Sequence, residues 1–260
     1  MDGQTLHVSK WKTRDAANSL VYVNGIESHA GWFSDVAGEL AARRIAVYAL
    51  DRRGSGLNTR TVGTYQDWID DLALVVAEAR AACPRAAVHL ASLCFGAAVA
   101  TAYAIQRPHA VDSLIYMSPG LHVKVDPTRL EKLRIALSTL PGLSCNIRSP
   151  IRADDMFTDS AEALWFLYRD KLRTFAPRAG DFLQARRITS YVLRRLDEVH
   201  VPSIVFLAGK DLIVDNAAVR RTFMKFASKP QIVEYADSEH IIFFGSSKQR
   251  LISDILDFIA

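Results

Sequence analysis

The residues best placed to do chemistry are the pentad Ser92-Leu93-Cys94-Phe95-Gly96. It follows an apolar run at 86–91 and opens into Gly96-Ala97-Ala98-Val99-Ala100-Thr101-Ala102, a helix-forming stretch. A nucleophile flanked two positions away by small residues, at a strand-to-helix junction, has a physical logic. The turn is so sharp that its central residue is strained, and only small neighbours avoid a clash. The central side chain is pushed out over the sheet edge with a helix N-terminus pointing at it. This arrangement is a nucleophile elbow with a cysteine at its apex. The thiolate is the attacking species, and a helix N-terminus together with an imidazole favours that form.

An elbow needs a sheet to stand on. Short apolar runs alternate with longer helical patterns, which predicts a mostly parallel α/β sheet of seven to eight strands flanked by helices. The strand expectations are 5–10, 19–24, 45–50, 87–91, 113–117, 203–208 and 231–235. Helices are expected at 32–43, 65–82, 95–105, 216–226 and 249–259. Trp68, Leu72, Val75 and Ala79 recur at helical spacing and predict a buried face. Residues 121–200 break the alternation with helical patterns near 128–139, 160–174 and 181–196, interrupted at Pro141-Gly142, Pro150 and Pro177. The expected organisation is a core of 1–120 and 201–260 with a helical lid at 121–200, inserted after the sixth strand.

Bulk properties narrow the function classes. A chain of 260 residues that is half apolar and 23% charged suits one large domain with an insertion. No apolar run approaches the roughly 20 residues of a membrane span. Met1-Asp2-Gly3-Gln4-Thr5 lacks the basic-then-apolar pattern of a secretory signal, so a cytoplasmic location is expected. Three cysteines, Cys83, Cys94 and Cys145, make an odd count without metal-ligand spacing, which argues against a disulfide framework or a metal site. No cofactor is expected. The segment 121–200 holds 14 Lys and Arg against 10 Asp and Glu, which is the whole of the chain's net charge of +4. Such an excess suits coenzyme A, an acidic acyl carrier protein or anionic lipid, or is simply a solvated face. No basic helix carries the interleaved aromatics of a nucleic-acid module.

Four motifs together resemble the monoacylglycerol lipase/lysophospholipase-like group of the α/β-hydrolases. Val23-Asn24-Gly25-Ile26-Glu27-Ser28-His29 is similar to that group's His-Gly-x-x-Glu-x-His loop, with Asn24 standing where His is usual. Leu50-Asp51-Arg52-Arg53-Gly54-Ser55-Gly56-Leu57-Asn58 resembles its Asp-x-Arg-Gly-x-Gly-x-Ser loop. The elbow is the third motif, with Cys94 in place of the usual serine. Leu207-Ala208-Gly209-Lys210-Asp211 with Glu239-His240 is the fourth.

The resemblance implies a triad of Cys94, His240 and Asp211: nucleophile, general base and orienting acid. Asp215 and Asp237 are the competing carboxylates. It also implies an oxyanion hole of backbone N–H groups at Phe95 and Ile26, with Gly25 permitting close approach. Asp51 and an arginine of its loop are expected to brace the surroundings. Asn24, Gly25 and His29, whose loop borders the oxyanion site, are expected to line the site, and Trp165, within Leu164-Trp165-Phe166-Leu167-Tyr168, could line an acyl pocket or pack the lid. The expected chemistry is acyl transfer through an S-acyl-Cys94 intermediate, from an ester or thioester, ending in hydrolysis or in transfer to an acceptor. A lyase or cyclase using the same groups, or a non-catalytic ligand-binding protein, stays open at this point.

Overall fold

Buried parallel strands read as near-continuous apolar runs because helices cover both of their faces. That rule governs most of this sheet. The computed structural model describes residues 5–13, 15–58, 63–140 and 142–260; Met1 to Gln4 and Pro141, which carried part of the sequence reading, lie outside them. Its strands are β1 (Val8–Trp11), β2 (Asn18–Val23), β3 (Ile45–Leu50), β4 (Ala87–Leu93), β5 (Ser113–Met117), β6 (Ser203–Ala208) and β7 (Gln231–Tyr235). They form one seven-stranded sheet in the order β1-β3-β2-β4-β5-β6-β7. Only β1 runs antiparallel, pairing Val8 with Leu50 and Trp11 with Val47. Every residue of β3, β5 and β6 is buried.

The helices are α1 (Ser34–Ala42), α2 (Tyr65–Ala82), α3 (Gly96–Gln106), α4 (Arg129–Leu137), α5 (Ala161–Arg169), α6 (Ala179–Leu193), α7 (Asn216–Phe223) and α8 (Lys248–Ile259). A capping box of Thr64 and Asp67 starts α2, and its Trp68, Leu72, Val75 and Ala79 face the core as expected. The helix expected at 32–43 opens instead as a 3-10 turn, Ala30–Phe33, before α1. α1 packs with α8, while α2 lies beside α3.

Two expectations need correction. The first strand starts at Val8, three residues later than expected, because its bounds are set by the register against β3. The helical insertion follows the fifth strand of seven, not the sixth, since a single antiparallel strand precedes β2 among the described residues. Within 121–200 the described residues form α4, α5 and α6 and contribute no strand to the sheet. α4 buries none of its residues, whereas α6 packs on α3. The chain then re-enters the sheet at β6, so the insertion lies beside the loops that leave the carboxyl ends of β4, β5 and β6. Ligands of parallel α/β sheets bind at that edge.

Candidate active site

Cys94 lies between β4 and α3 with φ +49°. A non-glycine residue enters this left-handed region at a cost of roughly 1–2 kcal/mol. The surrounding backbone pins it there. The Cys94 N–H donates to Met117 O at 3.0 Å, and Cys94 O accepts from Ala97 N and Gly120 N at 3.0 and 2.9 Å. The need for a small residue at position 96 is explicit, because a Cβ on Gly96 would lie 2.5 Å from Val23 O. A Cβ on Gly25 would come within 3.1 Å of Ser28 Oγ and 3.3 Å of the Cys94 Cβ, so glycine lets the β2 loop pack closely over the elbow.

His240 follows β7, and its ring is almost wholly buried. Its Nδ1 is 2.8 Å from Asp211 Oδ2. The other carboxylate oxygen, Asp211 Oδ1, accepts the backbone N–H groups of Ile213 and Val214, both at 2.8 Å. Three donors therefore hold this buried acid in one orientation. Burial pushes the Asp211 carboxyl up, but the imidazolium and the two backbone donors outweigh it and hold the group below the ordinary range. For His240, burial favours the neutral ring. The Asp211 carboxylate and then the charge of Cys94 override that and raise it to about 10. The His240 ring is buried beside Cys94, and the two residues line one cavity. Further bonds anchor the frame: Ser118 Oγ donates to His240 O at 2.6 Å, and Lys124 Nζ to Asp211 O at 2.7 Å.

The competing carboxylates are occupied elsewhere. Asp215 caps α7 through Ala218 N at 2.9 Å. Asp237 is 92% exposed and lies 3.9 Å from Lys210.

The cavity beside Cys94 is small, with about 10 Å³ of water-accessible space. Gly25, Ile26 and Trp32 line it from the β2 side, and Ile151 and Phe157 close it from the insertion. Neither the Phe95 nor the Ile26 N–H donates a hydrogen bond among the described residues. Asn24 is buried beneath this loop, donating to Gly25 O at 2.9 Å, to Ser28 O and to Ser55 Oγ, and accepting from Arg52 N. Asp51 braces two loops by accepting from Ala30 N and Leu57 N. Arg53 grips Asp71 of α2 through two bonds of 2.6 and 2.7 Å. No cluster of His, Cys, Asp or Glu that could hold a metal ion occurs among the described residues.

Of the four residues expected to line the site, Gly25 does, whereas Asn24 lies beneath its loop and the other two, His29 and Trp165, lie away from the cavity. His29 turns toward the insertion, with Nε2 3.0 Å from Asp170 Oδ2 and Nδ1 accepting from Gly31 N. Trp165 is 59% exposed and stacks on Tyr168, because α5 buries Ala163 and Leu167 on its opposite face. The sequence reading missed Ile151 and Phe157, which no local pattern marks. It also missed Arg173. That side chain reaches from the insertion to Glu27 with Nε 2.9 Å from Oε2, bonds Asp154 at 2.7 Å, and lies between the rings of Phe157 and Phe175.

With this geometry in view, the relatives are informative. Residues 14–246 match the Hydrolase_4 family, described as serine aminopeptidase, S33. The fold superposes on a monoacylglycerol lipase of Paleococcus ferrophilus with a TM-score of 0.85 at 18% identity, covering 98% of each chain. A soluble variant of the monoglyceride lipase of Saccharomyces cerevisiae gives 0.86 at 14% identity, covering all of this chain and 92% of that one. An esterase of Exiguobacterium antarcticum gives 0.72 at 15% identity, covering 98% and 95%. These likenesses establish a shared α/β-hydrolase fold, and the family match extends over most of the sheet and the insertion. The chain belongs to the Hydrolase_4 (serine aminopeptidase, S33) family and is an α/β-hydrolase enzyme.

Proposed function

We propose that the protein cleaves acyl esters or thioesters through an S-acyl-Cys94 intermediate, with His240 as base and acid and Asp211 as its orienting carboxylate. One observation carries this reading: a strained Cys94 at the strand-to-helix turn shares a cavity with an imidazole whose far nitrogen is held by a buried carboxylate. The lipase and esterase neighbours support an ester-like carbonyl substrate.

In the first half-reaction Cys94 Sγ attacks the carbonyl carbon. The S–C bond forms, and the carbonyl π pair moves onto oxygen, where the Phe95 and Ile26 N–H groups receive it. Each such donor is typically worth about 3 kcal/mol in the transition state. Collapse of the oxyanion breaks the bond to the leaving oxygen or sulfur, which takes a proton from His240. In the second half, water, an amine or a thiol gives its proton to His240 and attacks the acyl carbon, and the Cys94 thiolate departs.

Sulfur at the elbow favours thioester donors, since thiolate exchange with a thioester is nearly isoenergetic and runs both ways. The S-acyl enzyme also reacts more readily with amines and thiols than with water, which supports acyl transfer as well as hydrolysis. The basic excess of 121–200, read as a lid, suits a donor carried on coenzyme A or an acyl carrier protein.

Turnover of a matched ester and thioester carrying the same acyl group tests the reading. Cys94→Ala should lower kcat at least about 10³-fold on both, as loss of a covalent nucleophile does, while leaving the melting temperature near that of the parent. Retained turnover in that variant would transfer the chemistry to a lyase-like or non-covalent use of His240.

A further inference from the structure

The oxyanion hole just proposed depends on two backbone N–H groups being aimed correctly, and the structure shows what aims them. The Ile26 N–H belongs to the peptide whose carbonyl is Gly25 O. A trans peptide is planar with its C=O and N–H pointing in opposite directions, so holding one end directs the other. Asn24 Nδ2 holds Gly25 O at 2.9 Å. The next carbonyl, Ile26 O, accepts from Arg52 Nη2 at 3.4 Å. Both peptides flanking Ile26 are therefore tied by side chains.

The same Arg52 guanidinium reaches the other half of the hole. Its carbon lies 5.4 Å from the Phe95 ring centroid and 5.0 Å from that of Trp68, and the two rings meet edge to face at 5.3 Å. Arg52 Nη1 donates to Arg53 O at 2.7 Å, and the Arg52 backbone N–H donates to Asn24 Oδ1 at 3.1 Å. Asn24 and Arg52 thus form one connected unit. Both are buried, at 0% and 3% exposure, and neither lines the cavity beside Cys94. Burial lowers the guanidinium to about 10 and the Asp181 carboxylate of α6 opposes this, so Arg52 remains a cation at neutral pH.

We infer that Asn24 and Arg52 are the positioning residues of the oxyanion hole, acting through the Ile26 backbone and the Phe95 ring without touching substrate. The inference rests on the acyl-enzyme reading above. It also gives a role to Asn24, which stands where His is usual in the first loop motif, because its amide is what ties Gly25 O.

The test compares two reactions of the same sulfur. Acylation by an activated thioester develops an oxyanion; alkylation by iodoacetamide displaces iodide at a saturated carbon and develops none. Arg52→Met and Asn24→Ala should each slow acylation about 10²-fold, the loss typical of a disabled oxyanion donor, while Cys94 alkylation stays within about twofold of the parent. Equal slowing of both reactions would mean a merely structural role and overturn the inference, as would unchanged acylation. Should Arg52→Met not fold, Arg52→Lys serves, since an ammonium lacks the planar stacking face: slower acylation with unchanged alkylation supports the inference, and unchanged acylation overturns it. A parent enzyme that is alkylated at Cys94 yet never acylated would overturn the underlying reading, a result distinct from failure in the variants alone.

Discussion

At the residue scale, the pair His240–Asp211 is the most strongly perturbed feature of the site. Its consequence for stability has a definite sign. The histidine is raised from an ordinary 6.5 to about 10 in the folded protein. Its contribution is therefore fully present below pH 6.5 and is lost as pH climbs through about 10. The parent protein should lose stability across that window, measured as the urea midpoint at pH 6.5 and at pH 10. Asp211→Asn removes the carboxylate that comes first among the raising influences, so this variant should show a much flatter profile over the same interval. An identical slope in both proteins would mean that the imidazole is not held protonated by Asp211. The same pair also keeps the ring oriented, because Asp211 is fixed by the Ile213 and Val214 N–H groups and cannot swing away.

At the element scale, the insertion is fastened to the loop after β2 by buried charge. Arg173 and Glu27 have side chains only 3% and 2% exposed. Removing one partner of such a pair leaves the other charge buried, at a typical cost of about 3–5 kcal/mol. Arg173→Met should lose an amount of that order in chemical denaturation, and Glu27→Leu combined with Arg173→Met should recover most of it. A double variant no better than the single one would locate the loss in the Phe157 and Phe175 stacking. None of this fastening was legible in the sequence, since the two residues are 146 positions apart. What was legible was local. The runs at β3, β5, β6 and β7 carry their own boundaries, and α2 carries its capping box and its apolar face. The elbow was readable because five consecutive residues encode it. The place of Trp165 is not legible for a related reason. Five consecutive apolar residues on a helix cannot share one face, and Leu167 took the inward position. The loop of His29 borders the cavity, but its ring turns to Asp170 of the insertion, a partner no local pattern marks.

At the scale of the whole molecule, the proposed lid and the core together make a closed site. The cavity beside Cys94 holds only about 10 Å³ of water-accessible space, far below the roughly 300–1,000 Å³ usual for ligand pockets. Phe157 closes it, edge to face with Trp32 at 5.6 Å, and its backbone oxygen accepts from Ile241 N, next to His240. A long acyl chain therefore requires the insertion to shift, whereas an acetyl group needs far less room. Phe157→Ala should raise kcat/KM for a long-chain thioester relative to an acetyl thioester by about tenfold, the effect of removing a barrier of about 1.4 kcal/mol. An unchanged ratio would show that the insertion does not limit access.

The central claim is that Cys94 carries the acyl group. Intact-protein mass after brief exposure to a panel of acyl thioesters and activated esters tests it most directly, with Cys94→Ala alongside. The account predicts a mass gain equal to one acyl group in the parent, absent from the variant, and discharged by added amine or thiol faster than by water. A parent protein that turns over these substrates without gaining mass, or a variant that gains the same mass, would contradict it.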